Sequence, residues 1–302
     1  MLLGNVAIQH PDAAQLATLA QALCAMTGAT LGVLTEAANT VGGYLADAMP
    51  QNGGLDAQAM LADPRRAYFL LHAEPEFDCA NPVVARGALE KAELVVVMSP
   101  FKHGTAYADV LLPVAPFTET PGTFISCEGR AQSFHAVVYP RGETRPAWKV
   151  WRVLGTLMGF PGFDIDSSEV VRDGALGGAG SLEQRLSNRV QIEIAAPATT
   201  PAPLERVADV PIYFADALVR RAMSLQQTAD ARPPKARMHR ALLDKLGVAE
   251  GEQVKLKQGR GEAVLAASVD AAVPPGVVRV AAAHASTCGL EGLSGPVTVE
   301  RA

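Results

Sequence analysis

The sequence predicts an α/β protein in which a domain built on a parallel sheet is followed by a smaller, β-rich, barrel-like domain. Three observations carry that expectation. Short apolar runs alternate with helical stretches over residues 1–165. Gly- and Pro-rich composition marks residues 166–210 as a linker. From Glu252 onward the texture becomes strict polar/apolar alternation, the mark of half-buried strands, which places the second domain at residues 211–302.

Taken in order, Leu2 to Ile8 reads as a short buried strand. Pro11 opens a helix with Leu16, Leu19, Ala20, Leu23 and Met26 on one face, and Gly28 stands where a left-handed residue would close it. Thr30 to Leu34 is the next strand, completing a β–α–β unit with a parallel pairing. The pattern recurs in the strand Ala67–Leu71, a helix begun by Asn81 and Pro82, and the strand Leu94–Met98. A shorter strand, Asp109 to Leu112, stops at Pro113. Pro146 lies in the first turn of a helix that carries Trp148, Trp151, Leu154 and Met158 on roughly one side. Asp173 to Ser181 and Ala195 to Pro203 read as flexible connections. Phe214–Met223 and Met238–Leu246 are expected as helices. Gln253–Lys257, the Gly259–Gly261 turn and Ala263–Val269 form a hairpin, and Val277–Val280 and Pro296–Val299 supply the last strands. No repeat of 20–50 residues is visible.

Composition excludes several classes. With 49% hydrophobic and 19% charged residues, the chain can bury a core. A net charge of −5 and dispersed Lys and Arg argue against nucleic acid as a partner. No apolar run reaches the ~18 residues of a membrane span, so no direct membrane insertion is expected. Nor does the N-terminus resemble a signal peptide.

Chemistry-bearing motifs are sparse. Cys24, Cys79, Cys127 and Cys288 lie far apart, with no Cys-x-x-Cys pair, and read as buried structural thiols rather than metal ligands. Neither a dinucleotide fingerprint nor a P-loop occurs, and no G-x-S-x-G elbow anchors a hydrolase. Lys102 and His103 follow the strand Leu94–Met98, where open parallel sheets bind ligands, and could meet an anion. An exposed polar loop is the plainer reading there. His72 ends another strand, and His284 lies in a small-residue loop, each without a visible companion. Arg145, Lys149 and Arg152 form a basic stripe that reads first as a solvated helix face.

The most individual stretch is Ala108 to Phe134. Asp109 and Pro113, then Glu119, Gly122 and Thr123, then Glu128, Gly129, Arg130 and Gln132 resemble the shared signature of the molybdopterin oxidoreductase superfamily. Glu36–Gly43 (EAANTVGG) and Arg145–Val150 resemble, within it, the large iron–sulfur subunit of the proton-pumping NADH:quinone oxidoreductase (complex I). The segment from Leu246 to Val278 is similar to the superfamily's terminal double-psi β-barrel.

The resemblance implies a molybdopterin-oxidoreductase-like α/β domain, truncated on its N-terminal side, followed by that barrel. It implies a scaffold part of the respiratory complex that supports electron transfer from NADH to quinone without a redox centre of its own. The family's [2Fe–2S] and [4Fe–4S] cluster cysteines have no counterpart here, and no cofactor, catalytic or metal-ligating residue is expected in this chain. The signature loop is expected to be structural. Other peripheral-arm subunits and the missing N-terminal half would be the partners, on the inner, cytoplasmic face of the cell membrane. The alternative is the cofactor-clamping half of a formate dehydrogenase- or nitrate reductase-like molybdopterin enzyme.

Overall fold

The computed structural model describes residues 1–177, 182–189, 192–194 and 203–302. By its contacts the chain divides into two compact units that interleave in sequence. One comprises Met1–Asp56 with Pro113–Thr199, the other Ala57–Leu112 with Thr200–Ala302.

In the first unit, Leu2–Leu3 pairs in parallel with Gly32–Val33, and the helix Ala13–Thr27 connects them, closed by Gly28 at φ 70°. The expected first strand is shorter than its apolar run. Residues Asn5–Ile8 coil into a helical turn instead, bonded from Gly4. The long helix also turns a different face inward. Ala20 and Cys24 are buried, whereas Leu19, Leu23 and Met26 are exposed. Small side chains let the helix approach its neighbours closely, and the apolar period alone does not select the face. The Gly-rich span expected to be flexible begins inside a helix, Ser168–Leu176. Ser167 caps it by accepting from Val170 N at 3.3 Å, and buried Leu176 anchors its end. The rest of that span, residues 178–181, and residues 195–202 of the expected Pro/Ala connection lie outside the described residues.

A hairpin, Gly122–Ile125 with Ala131–Phe134, carries most of the signature loop. The Trp helix runs Ala147–Leu157; Met158 follows it exposed, not packed as its spacing predicts. Gly155 is buried, and a Cβ built there would run into the Phe163 ring.

In the second unit, Ala67–Leu71 and Leu94–Ser99 pair in parallel, and Val110–Pro113 completes a three-stranded sheet. The helix Pro82–Leu89 makes the crossover, with Asn81 capping Val84 N at 3.1 Å. Tyr68, Ala88, Leu89, Val95 and Val97 form its core.

The C-terminal part is a seven-stranded mixed sheet. Its order is Ser294–Pro296, Glu205–Val207, Val277–Arg279, Ala236–Met238, Gly261–Val269, Gln253–Gln258 and Thr298–Arg301. The two outermost strands are separated in sequence by Val297 alone, so the sheet curls toward closure. Alternation puts Val254 and Leu256 inside, with Met238, Leu265, Ala267 and Val278 around them. Helices read at Phe214–Met223 and Met238–Leu246 are shorter than expected. Pro211 and the Asp216 cap break the first into turns, and Ala236–Met238 joins the sheet, leaving Arg240–Leu246 as helix.

Gly155→Ala is therefore expected to overpack the first unit and cost about 1–3 kcal/mol in a urea melt. A change within ~0.5 kcal/mol would mean that Phe163 yields without cost.

Candidate functional site

Two loops leave the carboxyl ends of the parallel pair in the second unit, the edge at which open α/β sheets place ligands. The first begins at His72, whose φ of 53° turns the chain sharply while its N–H still donates to Met98 O at 2.9 Å. Partial desolvation lowers the His72 pKa. Glu74, 2% exposed, then opens the helical turn Pro75–Asp78, and its N–H donates to Asp78 Oδ2 at 2.7 Å.

The second loop follows Ser99, whose hydroxyl accepts from Phe101 N at 3.1 Å. Lys102 is exposed, but His103 is buried, 9% exposed, which corrects the expectation of an exposed polar loop. Neither ring nitrogen of His103 has a hydrogen-bond partner among the described residues. Gly104, at φ 67°, is packed against the Tyr107 ring, and Tyr107 Oη donates to Glu76 Oε2 at 2.9 Å. Burial, then the Glu76 charge, hold the Tyr107 phenol far above its ordinary value.

Helix Ala217–Arg221 brings two arginines to these loops. Asp216 fixes its start, Oδ1 accepting from Leu218 N at 2.7 Å and Val219 N at 3.0 Å. Arg220 donates to Glu74 Oε2 at 3.1 Å, Asp78 Oδ1 at 2.9 Å and Phe214 O at 2.8 Å, with its guanidinium 5.1 Å over the Phe77 ring. Arg221 Nη2 stands 2.6 Å from Glu74 Oε1, and its guanidinium lies 4.4 Å over Phe101. The His284 ring lies 4.9 Å from Phe214, tilted by 49°, with Nδ1 accepting from Ser286 N at 3.0 Å; Ala283 beside it holds a φ of 60°. Burial lowers the His284 pKa too.

The arrangement is a buried ion-pair cluster. One buried carboxylate orients two guanidiniums, and Arg221 keeps 35% of its side chain exposed. His72, Lys102, His103 and His284 all fall on this unit. Sequence reasoning missed Glu74, Asp78, Arg220 and Arg221. Their signal was a carboxylate just past a strand end and a double cation after a capped turn, weak until the 146-residue separation is closed.

The signature residues lie largely elsewhere. Asp109 Oδ2 accepts from Val95 N at 2.7 Å, and Pro113 ends its strand. Glu119 Oε2 accepts from Arg141 N at 3.0 Å. Gly122 lets the Phe134 ring approach, and Thr123 and Ser133 hydroxyls meet at 2.9 Å. Gly129 makes the hairpin turn at φ 84°, and Gln132 stands opposite Phe124. Asn39, from the EAANTVGG stretch, accepts from Ile125 N at 2.8 Å, tying that stretch to the hairpin.

The basic stripe does not converge. Arg145 bonds Thr144 O, Lys149 lies 5.3 Å over Trp148, and Arg152 stands 3.8 Å from Asp166. Of the thiols, Cys24 is buried and Cys127 is exposed, so the uniform reading as buried thiols fails. Among the described residues no group of three or more His, Cys, Asp or Glu is placed to hold a metal ion.

Removing Glu74 leaves two guanidiniums without their buried counter-charge. Glu74→Ala is expected to cost about 3–5 kcal/mol in denaturant melts, and Arg221→Ala about 1–2 kcal/mol because Arg220 still pairs with Glu74. Equal costs would mean that Glu74 does not organise the cluster. Burial, then Asp78 and Glu76, push the Cys79 thiol up to about 11. Its alkylation at pH 8 should therefore run about a hundredfold slower than that of an ordinary thiol, with exposed Cys127 as the internal comparison. Matching rates would refute the shift. The folded state keeps the Cys79 proton that the unfolded chain loses above its own thiol pKa, so this contribution falls as pH rises toward about 11.

Comparison with known proteins supplies a family. Residues 1–157, just over half of the chain, match the family model described as molybdopterin oxidoreductase. Residues 217–296 match the molydopterin dinucleotide binding domain, and that span contains Arg220, Arg221 and His284. A protein of Staphylococcus aureus provisionally named formate dehydrogenase is 38% identical over 82 residues, 27% of this chain and 8% of that protein. A similarly named protein of Staphylococcus haemolyticus is 39% identical over 81 residues, 26% of this chain and 8% of its own length. The match thus spans a small part of these relatives.

Acetylene hydratase from Pelobacter acetylenicus shares the fold with a TM-score of 0.58 at 19% identity, over 81% of this chain and 46% of that one. The expectation of a chain without a cofactor is overturned by the dinucleotide-binding match. That expectation rests on the lack of cluster cysteines and, for the pterin, on the lack of the N-terminal half that would close over it. The matched binding domain lies in the part that is present. With the signature hairpin inside one matched span and the arginine cluster inside the other, this chain belongs to the molybdopterin oxidoreductase family.

Proposed function

We propose that this chain is the cofactor-clamping part of a molybdopterin-dependent oxidoreductase of the formate dehydrogenase type. The observation that carries the reading is that the dinucleotide-binding match contains Arg220 and Arg221, which Glu74 pairs with at the strand ends. The residues present fit such a group. Arg221 offers a cation with planar donors, held in place by Glu74 and Phe101 and still open to solvent. Lys102 adds a second cation on the neighbouring loop. His103, buried with both ring nitrogens unpartnered among the described residues, can donate one hydrogen bond and accept another from a heterocyclic ligand.

When bound, a molybdopterin supplies a metal centre that exchanges electrons with substrate. This chain's residues bind and orient. Arg220, with its side chain 10% exposed, fixes the loop Glu74–Asp78, and Arg221 and Lys102 meet phosphate charge. The reading as a complex I scaffold rests on Glu36–Gly43 and Arg145–Val150. Neither stretch contributes to the cluster, and the named relatives are of the formate dehydrogenase kind.

The test is to produce the chain in a host that makes the cofactor, denature it, and oxidise with acid and iodine. Fluorescent pterin is expected from the wild type and about tenfold less from Arg221→Ala, the loss of one charge-assisted contact. A folded wild-type chain that releases no pterin would overturn the proposal.

A further inference from the structure

A second cationic site lies in the same unit, on a different set of residues. A polar cleft of about 360 Å³ is bounded by the Asp209–Arg279 pair and the segment Arg232-Pro233-Pro234-Lys235. Arg220, Arg221, His103 and His284 do not line it.

The Arg-Pro-Pro-Lys segment is locally stiff. Its ends are pinned by Ala231, 7% exposed, and Ala236, fully buried at the start of a sheet strand. Arg232 has φ −63° and ψ 147°, the polyproline II conformation that a residue before proline prefers. Pro233 also precedes a proline, and both rings fix their own φ. A polyproline II helix has three residues per turn, so positions 232 and 235 project to the same side. Both residues line the cleft.

The electrostatics leave these two cations available. Arg279 is engaged by Asp209 through bonds of 3.2 and 3.1 Å, and Arg237 lies 3.9 Å from Asp270. Neither Arg232 nor Lys235 has an ion-pair partner among the described residues, and Asp230 is the remaining acid in the lining. Phe214, the aromatic residue of the lining, is 3% exposed and offers no face for a base to stack on. The ligand is therefore small, anionic and without an aromatic ring. Stiffness matters because a preorganised pair of cations loses little conformational freedom on binding.

We infer that Arg232 and Lys235 form a preorganised clamp for a small phosphorylated anion, separate from the dinucleotide cluster. The test is calorimetric titration of the full chain with inorganic pyrophosphate at physiological ionic strength. Saturable binding is expected, and it should persist in Arg221→Ala, where the dinucleotide cluster no longer competes for the anion. Arg232→Ala and Lys235→Ala should each weaken it about tenfold. The double change Pro233→Ala with Pro234→Ala keeps both charges and should weaken binding several-fold through lost stiffness. Arg66→Ala, which removes an exposed cation paired with Glu93, should leave it unchanged.

Circular dichroism on each variant separates lost binding from lost fold. Absence of saturable binding, equal weakening by Arg66→Ala, or binding that survives Arg232→Ala but fails in Arg221→Ala would each overturn the inference. The last outcome would assign the anion to the dinucleotide cluster and leave the proposed function standing.

Discussion

Glu74 is a carboxylate 2% exposed to water, and the second unit is organised around the need to neutralise it. An isolated buried charge costs several kcal/mol, so its ionised form persists only where cations and donors surround it. Two guanidiniums meet that need, and both come from a turn 146 residues away in sequence. Their positions then follow from cheaper interactions, namely the Asp216 cap, the Phe214 carbonyl and the faces of Phe77 and Phe101. The proposed site for an anionic cofactor is thus built on a buried anion. Glu74 holds the arginines in one arrangement, so little ordering is left for a ligand to impose.

Much of the fold was legible because it depends on local chemistry. The strands Ala67–Leu71 and Leu94–Ser99, the Asn81 cap and the Gly28 stop all stand where period, cap and left-handed residue put them. The hairpin after Glu252 was equally plain, since one buried face imposes strict alternation. What failed was anything decided by a neighbour. The helix Ala13–Thr27 carries no charge, so its sequence offers two faces, and packing chose Ala20 and Cys24 over the leucines. The run Leu2–Ile8 could not reveal that pairing partners extend only to Leu3.

The site was half legible for the same reason. Strand-end position is a topological property, and it singled out His72, Lys102 and His103 from a parallel pair alone. Burial of His103 depends on how the loop folds back through Gly104 onto Tyr107, which composition does not encode. Glu74 and Arg220 are ordinary residues in sequence, and their roles exist only once the chain brings them together. The signature residues show the converse. They were the loudest signal in the chain, yet Glu119, Gly122, Thr123 and Gly129 work as turn and hairpin chemistry. A recognisable pattern marks what the fold cannot change, and that is often geometry before it is function.

Geometry and charge also explain how a cationic cleft can exist in a chain of net charge −5. Each acid near the first cluster is committed: Glu74 and Asp78 to arginine, and Glu76 to Tyr107. In the cleft below Arg232 and Lys235, Asp209 is committed to Arg279. Around Glu74 the carboxylates balance Arg220 and Arg221, whereas in the cleft Arg232 and Lys235 face Asp230 alone, so the surplus positive charge is left there. Net charge governs encounter over distances longer than about 8 Å at physiological salt. Within a cleft, the distribution of pairs decides the sign.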